Sequence, residues 1–200
     1  MKIYLYRHGE TEHNKARLIQ GRGIDSNLNA TGRAQAAAFF EVYKGVPFDC
    51  LFTSELQRTQ QTAAPFEALG IPVKRRAALD EISWGDWEGK SASQEMSNDY
   101  LEMLTAWGEG NYACSLANGD SALSMQQRLQ PFVEELLALK YKQVLVCSHG
   151  GTLGFLLPLL LEEPLSTMPS YKHHNTGLDI FEYKEGTGTL LVQNDTTHAS

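Results

Sequence analysis

Positive charge is scarce in this sequence, which has 17 lysine and arginine residues against 24 aspartate and glutamate residues, a formal net charge of −7. A surface that binds nucleic acid or an anionic membrane needs a positive field facing phosphate groups. The composition therefore argues against nucleic-acid and membrane partners. If the ligand is an anion, positive charge must be concentrated at one place.

Cysteine and long apolar runs are also scarce. The three cysteines, Cys50, Cys114 and Cys147, are odd in number and have none of the spacings of a zinc site or a disulfide framework. We therefore expect reduced thiols, a cytoplasmic location and no metal. The most apolar run, residues 152–161, is interrupted by Pro158 and is far shorter than the roughly 20 residues that span a bilayer.

A hydrophobic fraction of 42% in 200 residues is enough to bury one sizeable core, so we expect one domain spanning residues 1–200. Short runs rich in β-branched and aromatic residues predict buried strands, and helical segments lie between them. The predicted strands are residues 3–6, 48–52, 144–147, 178–183 and 189–193, the last two joined by a hairpin turn at 185–188. This alternation predicts a three-layer α/β/α fold with a mostly parallel central sheet.

Helix starts are predicted from capping residues. The predicted caps or first residues are Thr31, Ser54 in a capping box, Asp120 or Ser121, and Gly151. Pro65 predicts a kink or an early end of the second helix. Residues 91–119 are the least regular, with helix predicted only around 100–107.

Each of the three clearest strands runs directly into reactive or cationic residues. The first is followed by Arg7 and His8, another by His149, and the strand that ends near Thr53 is followed a turn later by Arg58. In open α/β sheets, ligands bind beyond the carboxyl ends of the strands. If these strands are parallel neighbours, two imidazoles and two guanidinium groups meet in one crevice.

Such a set of side chains suits phosphate. The planar guanidinium fork can bond two oxygens at once and remains charged at any working pH. Gly9, Gly150 and Gly151 allow close approach of the backbone to a ligand, and the helix that opens at Gly151 directs free N–H groups and its positive dipole end inward.

Five ordered sequence blocks resemble the histidine phosphatase superfamily, the phosphoglycerate-mutase-like proteins. They begin with Arg7-His8-Gly9-Glu10-Thr11 and end with Val146-Cys147-Ser148-His149-Gly150-Gly151. The intervening blocks are Leu28-Asn29-Ala30-Thr31-Gly32, Ser54-Glu55-Leu56-Gln57-Arg58-Thr59, and Leu79-Asp80-Glu81 with Gly85-Asp86-Trp87-Glu88-Gly89. The resemblance covers most of the chain and implies a phosphoglycerate-mutase-like fold.

The resemblance also implies roles for individual residues. His8 corresponds to the nucleophile that becomes phosphohistidine, and Glu81 corresponds to the proton donor. The residues implied to hold the phosphoryl oxygens are Arg7, Arg58 and His149, with Asn14, Gln20 and Gly150 as further contacts. The phosphatase branch of this family works without a metal or an organic cofactor, so none is expected.

The chemistry of the reaction predicts different states for these groups. His8 can attack only as neutral imidazole, and the charges of Arg7 and Arg58 should lower its pKa. We expect its other ring nitrogen to bond a backbone carbonyl near Gly9. His149 should instead donate to the phosphate dianion, and Glu81 must hold a proton for the departing alkoxide.

Specificity is expected in residues 83–118 and 170–175, where the chain is least regular. Trp84 and Trp87 are interpreted either as a wall for the organic part of the substrate or as core aromatics, with Trp87 favoured as structural. His173 and His174 are adjacent histidines in a polar stretch, for which solvation is a simpler explanation than metal binding.

The predicted function is hydrolysis of a small phosphorylated metabolite. Phosphoglycerate-mutase-type transfer is the first alternative, and the short span from Glu81 to His149 favours hydrolysis over it. A phosphate-binding module without catalysis is the second, and it would be expected to lack the nucleophile or the acid. The sequence does not choose among α-ribazole phosphate, a sugar phosphate and phosphoglycerate, and the oligomeric state stays open, with a homodimer as one alternative.

Overall fold

A computed structural model describes residues 1–199, which form a six-stranded sheet with helices on both faces. The strands are β1 (Lys2–Arg7), β2 (Cys50–Thr53), β3 (Val73–Arg75), β4 (Gln143–Ser148), β5 (Leu178–Lys184) and β6 (Thr187–Asp195). The α-helices are α1 (Glu12–Lys15), α2 (Ala30–Tyr43), α3 (Gln57–Ala68), α4 (Gln94–Gly108), α5 (Ala122–Ala138) and α6 (Gly150–Leu161). Short 3-10 helices cover Ala77–Leu79, Gly85–Trp87, Leu165–Ser170 and Thr197–Ala199.

The sheet order is β3-β2-β4-β1-β5-β6. Strands β1 to β4 are mutually parallel, and β5 and β6 add an antiparallel hairpin at one edge. In register, Arg7 lies opposite Ser148 and Thr53 lies opposite Cys147. The carboxyl ends of β1, β2 and β4 therefore coincide at one edge, which confirms the mostly parallel three-layer fold.

Alternating side chains of the strands build two apolar layers. On one face, Ile3 and Val144 pack with Trp107, Phe155 and other residues of α4, α5 and α6. On the opposite face, side chains one position along the same strands pack with aromatic residues of α2 and α3. Strands buried on both faces read as continuous apolar runs, because either face needs apolar contacts.

Several predicted element ends are wrong. Helix α2 is capped by Asn29, whose side chain accepts from the Gly32 N–H at 2.8 Å, two residues before the expected Thr31. Ser54 does not cap α3, which starts at Gln57 without a side-chain cap, and Pro65 lies inside that helix rather than ending it. Ser121 does cap α5, as expected.

One helix is longer than predicted, and one strand was not predicted. Helix α4 begins at Gln94, six residues before the predicted start, with Ser93 as N-cap. Strand β3 was missed because its three residues, Val-Lys-Arg, are too few and too polar to form an apolar run. Within the described residues, no helix is long and apolar enough to cross a membrane.

Candidate active site

Two imidazole rings meet at the carboxyl edge of the sheet. His8 directly follows β1 and His149 directly follows β4, and their ring centroids lie 5.1 Å apart with 59° between the ring planes. His8 is 2% exposed and His149 is fully buried. The strand register thus brings together two residues that are 141 positions apart in the chain.

The tautomer of His8 follows from one hydrogen bond. Its Nδ1 lies 2.7 Å from the carbonyl oxygen of Gly9, which can only accept, so Nδ1 carries the proton. This confirms the expected backbone acceptor and leaves Nε2 with the lone pair. Within residues 1–199, Nε2 has no hydrogen-bond partner, and it is not completely enclosed by protein atoms.

Burial and neighbouring charge keep His8 neutral. Desolvation is the largest influence that lowers the pKa of His8 well below its ordinary value, and the guanidinium groups of Arg7 and Arg58 lower it further. The bond to Gly9 acts in the opposite direction and is the smallest of these effects. A neutral imidazole with a free Nε2 lone pair is the form that can act as a nucleophile.

His149 is held from both sides. The Arg58 Nε donates to its Nδ1 at 3.1 Å, so the ring proton is on Nε2, which donates to the Ser54 hydroxyl at 2.8 Å. The Ser54 oxygen lies 2.8 Å from the Thr59 hydroxyl and also accepts from the Leu56 N–H at 3.1 Å. Ser54, expected to cap a helix, instead orients His149.

The pKa of His149 is also lowered well below its ordinary value, first by burial and then by Arg58, His8, Arg7 and Arg128. The structure therefore contains a neutral His149 with both ring nitrogens engaged by protein groups. The sequence had indicated a donor to phosphate. That state requires Nδ1 to gain a proton and Arg58 Nε to find another acceptor.

The two arginines are held by carbonyl oxygens. Arg7 donates from Nη1 to the His173 carbonyl at 2.9 Å, and its buried Nε has no partner among the described residues. Arg58, fully buried, donates from Nη1 to the Ile24 carbonyl at 2.7 Å. Carbonyl partners fix each guanidinium without cancelling its charge, so both remain attractive to an anion.

Glu81 lies in the loop after the 3-10 helix Ala77–Leu79, and its carboxylate contacts the amino-terminal end of α6. Its Oε1 accepts from the backbone N–H groups of Ile82 at 3.0 Å and Thr152 at 2.9 Å, whereas Oε2 accepts only a longer bond from the Gly151 N–H at 3.3 Å. Oε2 is therefore the oxygen with more capacity to carry a proton. A Cβ at Gly151 would lie 2.8 Å from Glu81 Oε1 and 2.6 Å from Ile82 Cγ2, so a side chain there would displace the acid.

The predicted amide contacts lie at the same place but are partly engaged. Asn14 Oδ1 accepts from Asn175 Nδ2 at 3.1 Å, and the Asn175 amide also donates to the His8 carbonyl at 3.0 Å. The Gln20 amide accepts from the Thr11 hydroxyl and donates to Ser26. Both Asn14 and Gln20 line the cavity described below.

A buried hydrogen bond between a histidine and an aspartate, next to Arg7, was missed by the sequence analysis. His173, expected to be solvated, is 8% exposed and its Nε2 bonds Asp179 Oδ2, with both side chains fully buried. Because the His173 carbonyl holds Arg7, the pair supports the candidate site from β5. No motif signalled this contact, since Asp179 reads as an ordinary polar residue within a strand.

A cavity of about 410 Å³ opens at this edge of the sheet. Arg7, Glu81, Gly150 and Gly151 line it, whereas His8, Arg58 and His149 are not among its lining residues. Its wall also includes Trp84 and Trp87, which both pack against the core as well. Packing against the core agrees with the structural interpretation, and a contact of either residue with a substrate stays a prediction. In the described part of the chain, no group of three or more His, Cys, Asp and Glu side chains is arranged to hold a metal ion.

Comparisons with known proteins converge on one family. The sequence model of the histidine phosphatase superfamily (branch 1) matches residues 3–196. The adenosylcobalamin/alpha-ribazole phosphatase of Escherichia coli is 31% identical over 196 residues, 97% of this chain and 96% of that protein.

Solved structures give the same result. A mutant phosphoserine phosphatase of Entamoeba histolytica in complex with phosphoserine is 27% identical, with a TM-score of 0.84 and 98% of each chain covered. A mycobacterial glucosyl-3-phosphoglycerate phosphatase in complex with VO3 is 28% identical, with a TM-score of 0.84 and coverage of 96% of this chain and 98% of that one.

Proposed function

Because the chain belongs to the histidine phosphatase superfamily, we propose that this phosphatase hydrolyses a small phosphomonoester through phosphohistidine formed on His8. The observation that carries the assignment of His8 is its geometry: a neutral ring whose Nδ1 is fixed by Gly9 and whose free Nε2 lies beside the Arg7 and Arg58 charges. The names of related phosphatases contain alpha-ribazole, phosphoserine and glucosyl-3-phosphoglycerate, and we consider phosphorylated metabolites of these kinds as substrates.

The first step forms a bond between His8 Nε2 and phosphorus while the ester P–O bond breaks. Glu81 gives its proton to the departing alkoxide, and Arg7 and Arg58 stabilise charge on the equatorial oxygens. In the second step, water attacks phosphohistidine and Glu81 takes the proton of that water. His8 returns to neutral imidazole and inorganic phosphate leaves.

His149 is proposed to change partners when the dianion binds. A phosphoryl oxygen is a better acceptor for Arg58 Nε than the neutral Nδ1 at 3.1 Å, and it also raises the affinity of Nδ1 for a proton. Substrate binding would then take up one proton, and His149 would become the phosphate donor expected from the sequence.

Asn14, Gln20 and Gly150 are proposed as further contacts to the phosphoryl oxygens. All three line the cavity, and a Cβ at Gly150 would lie 3.5 Å from Arg7 Nε, so this glycine lies directly beside the guanidinium group. We also propose that residues 1–200 act as one domain, in the cytoplasm, on a small molecule and without a nucleic-acid or membrane partner. The three free cysteines support a reducing location.

Rapid quenching after mixing with a phosphomonoester tests the assignment of His8. We expect acid-labile, base-stable phosphate, which peptide mass spectrometry should locate on His8. The His8→Ala variant should show neither this phosphate nor turnover. His174→Ala, at an exposed histidine, serves as the control and should retain both. Phosphate on another residue, or an active His8→Ala variant, contradicts the proposal, whereas transfer to an added alcohol at the expense of water would favour the mutase alternative.

A further inference from the structure

The cavity beyond the phosphate end has an apolar, aromatic wall. Besides the residues already placed near the phosphate, its lining comprises Leu18, Ile19, Trp84, Trp87, Met96 and Tyr100, with the small residues Ala92 and Ser97. Trp84 and Tyr100 pack edge to face with ring centroids 5.9 Å apart. Burial raises the pKa of Tyr100, as expected for a phenol among apolar neighbours.

Charge is confined to one end of this cavity. Within the described residues, the charged side chains in the lining are Arg7 and Glu81, both at the phosphate end. Arg22, an arginine of the nearby loop, is engaged by Asp120 at 3.2 Å and does not line the cavity. A second carboxylate or phosphate on the substrate would therefore lose water without gaining a cation.

The wall is held in place by backbone pairing. The Ile19 N–H donates to the Lys90 carbonyl at 3.0 Å, and the Gly89 N–H donates to the Ile19 carbonyl at 2.8 Å. These bonds join the loop after α1 to the loop that precedes α4, so the two sides of the wall are tied together. An apolar surface formed in advance favours a flat group without an ordering cost.

From this lining we infer that the substrate is a phosphomonoester of an uncharged alcohol bearing an aromatic or similarly flat apolar group, with no second anionic group. The inference rests on the proposed phosphatase function and narrows its substrate class. The cavity, at about 410 Å³, lies within the range of small-molecule sites and can hold a phosphoryl group with one ring system.

The test compares kcat/KM for ethyl phosphate, phenethyl phosphate and para-carboxyphenethyl phosphate, which share an alkyl leaving group. We expect kcat/KM to be about 100-fold higher for phenethyl phosphate than for ethyl phosphate. For para-carboxyphenethyl phosphate it should be at least about tenfold lower than for phenethyl phosphate. Equal efficiency for ethyl and phenethyl phosphate, or a preference for the carboxylate, overturns the inference even though hydrolysis itself persists. Absence of hydrolysis with all three and no phosphohistidine would instead refute the proposed function.

Two variants of one side chain make the test specific. Tyr100→Ala should reduce the phenethyl-to-ethyl ratio about tenfold, while Leu101→Ala, at an exposed neighbour on α4, should leave activity and ratio unchanged. Tyr100→Arg should raise the efficiency with para-carboxyphenethyl phosphate relative to phenethyl phosphate by about fivefold. A folding defect lowers the efficiency with both substrates by the same factor, so it cannot raise this ratio. Unchanged ratios in both Tyr100 variants would contradict the assignment of this wall.

Discussion

Two buried neutral histidines should make this protein sensitive to mild acid. The pKa values of His8 and His149 are both lowered well below the ordinary histidine value, chiefly by burial and then by neighbouring arginines. In the unfolded chain each titrates near about 6.5. Their contribution to stability is therefore fully present above about pH 6.5 and is lost as the pH falls toward their folded values.

The magnitude follows from proton linkage. A histidine that binds a proton only in the unfolded state costs about 1.4 kcal/mol of unfolding free energy between pH 7.5 and 5.5, and two such residues cost about 2.7 kcal/mol. Most carboxylates titrate below this window, which isolates the histidine effect. Urea unfolding at closely spaced pH values, in buffers without phosphate, measures it.

Single substitutions divide the effect between residues. His149→Gln keeps an amide donor toward Ser54 and should reduce the acid-induced loss by about 1.4 kcal/mol over the same window. His174→Gln removes an exposed histidine and should leave the wild-type profile unchanged. If His149→Gln and the wild type show parallel profiles, then His149 is not held neutral in the folded protein and the reasoning is refuted.

Other predictions concern the acid, the glycine beside it and the buried pair. Glu81→Gln should slow the hydrolysis of alkyl phosphates much more than that of an activated aryl phosphate. Equal slowing of both in steady-state assays would contradict the assignment of Glu81 as proton donor. Gly151→Ala should lose activity and about 1–3 kcal/mol of stability, because its Cβ would lie 2.8 Å from Glu81 Oε1. Gly45→Ala, where a Cβ meets nothing within 4 Å, is the control in the same unfolding and activity assays. Asp179→Asn should cost about 1–3 kcal/mol in urea unfolding and raise KM, because it weakens the buried hydrogen bond with His173. An unchanged KM would show that this hydrogen bond does not support the position of Arg7.

The sequence predicted the positions of the two histidines in the fold better than it predicted the ends of the helices. Apolar runs buried on both faces identify β1 and β4 directly, and the parallel-sheet rule then places His8 and His149 at one edge. Helix starts depend on single side chains that have alternative partners. Asn29 outcompetes Thr31 as a cap, and the Ser54 hydroxyl is used by His149.

The supporting contacts could not be read from the sequence because they use backbone carbonyls. The His173 carbonyl holds Arg7, and the Ile24 and Gly21 carbonyls hold Arg58, at 2.7 Å and 3.4 Å respectively. Every residue carries a carbonyl, so no pattern distinguishes those that face a guanidinium. Only the folded loops determine which ones are used.

These carbonyl partners have an electrostatic consequence. Within residues 1–199, neither Arg7 nor Arg58 forms a salt bridge, although Arg58 is fully buried and Arg7 is partly buried. A carboxylate partner would satisfy each guanidinium but would also cancel the field that a phosphate dianion needs, whereas a carbonyl dipole satisfies N–H groups and leaves the charge intact. Burial is the main reason that the pKa values of both imidazoles are lowered, and the same guanidinium charges lower them further. The proposed attraction for a phosphoryl group and part of the acid sensitivity of the fold thus share the guanidinium charges, and a substitution that removes one of these charges should weaken both.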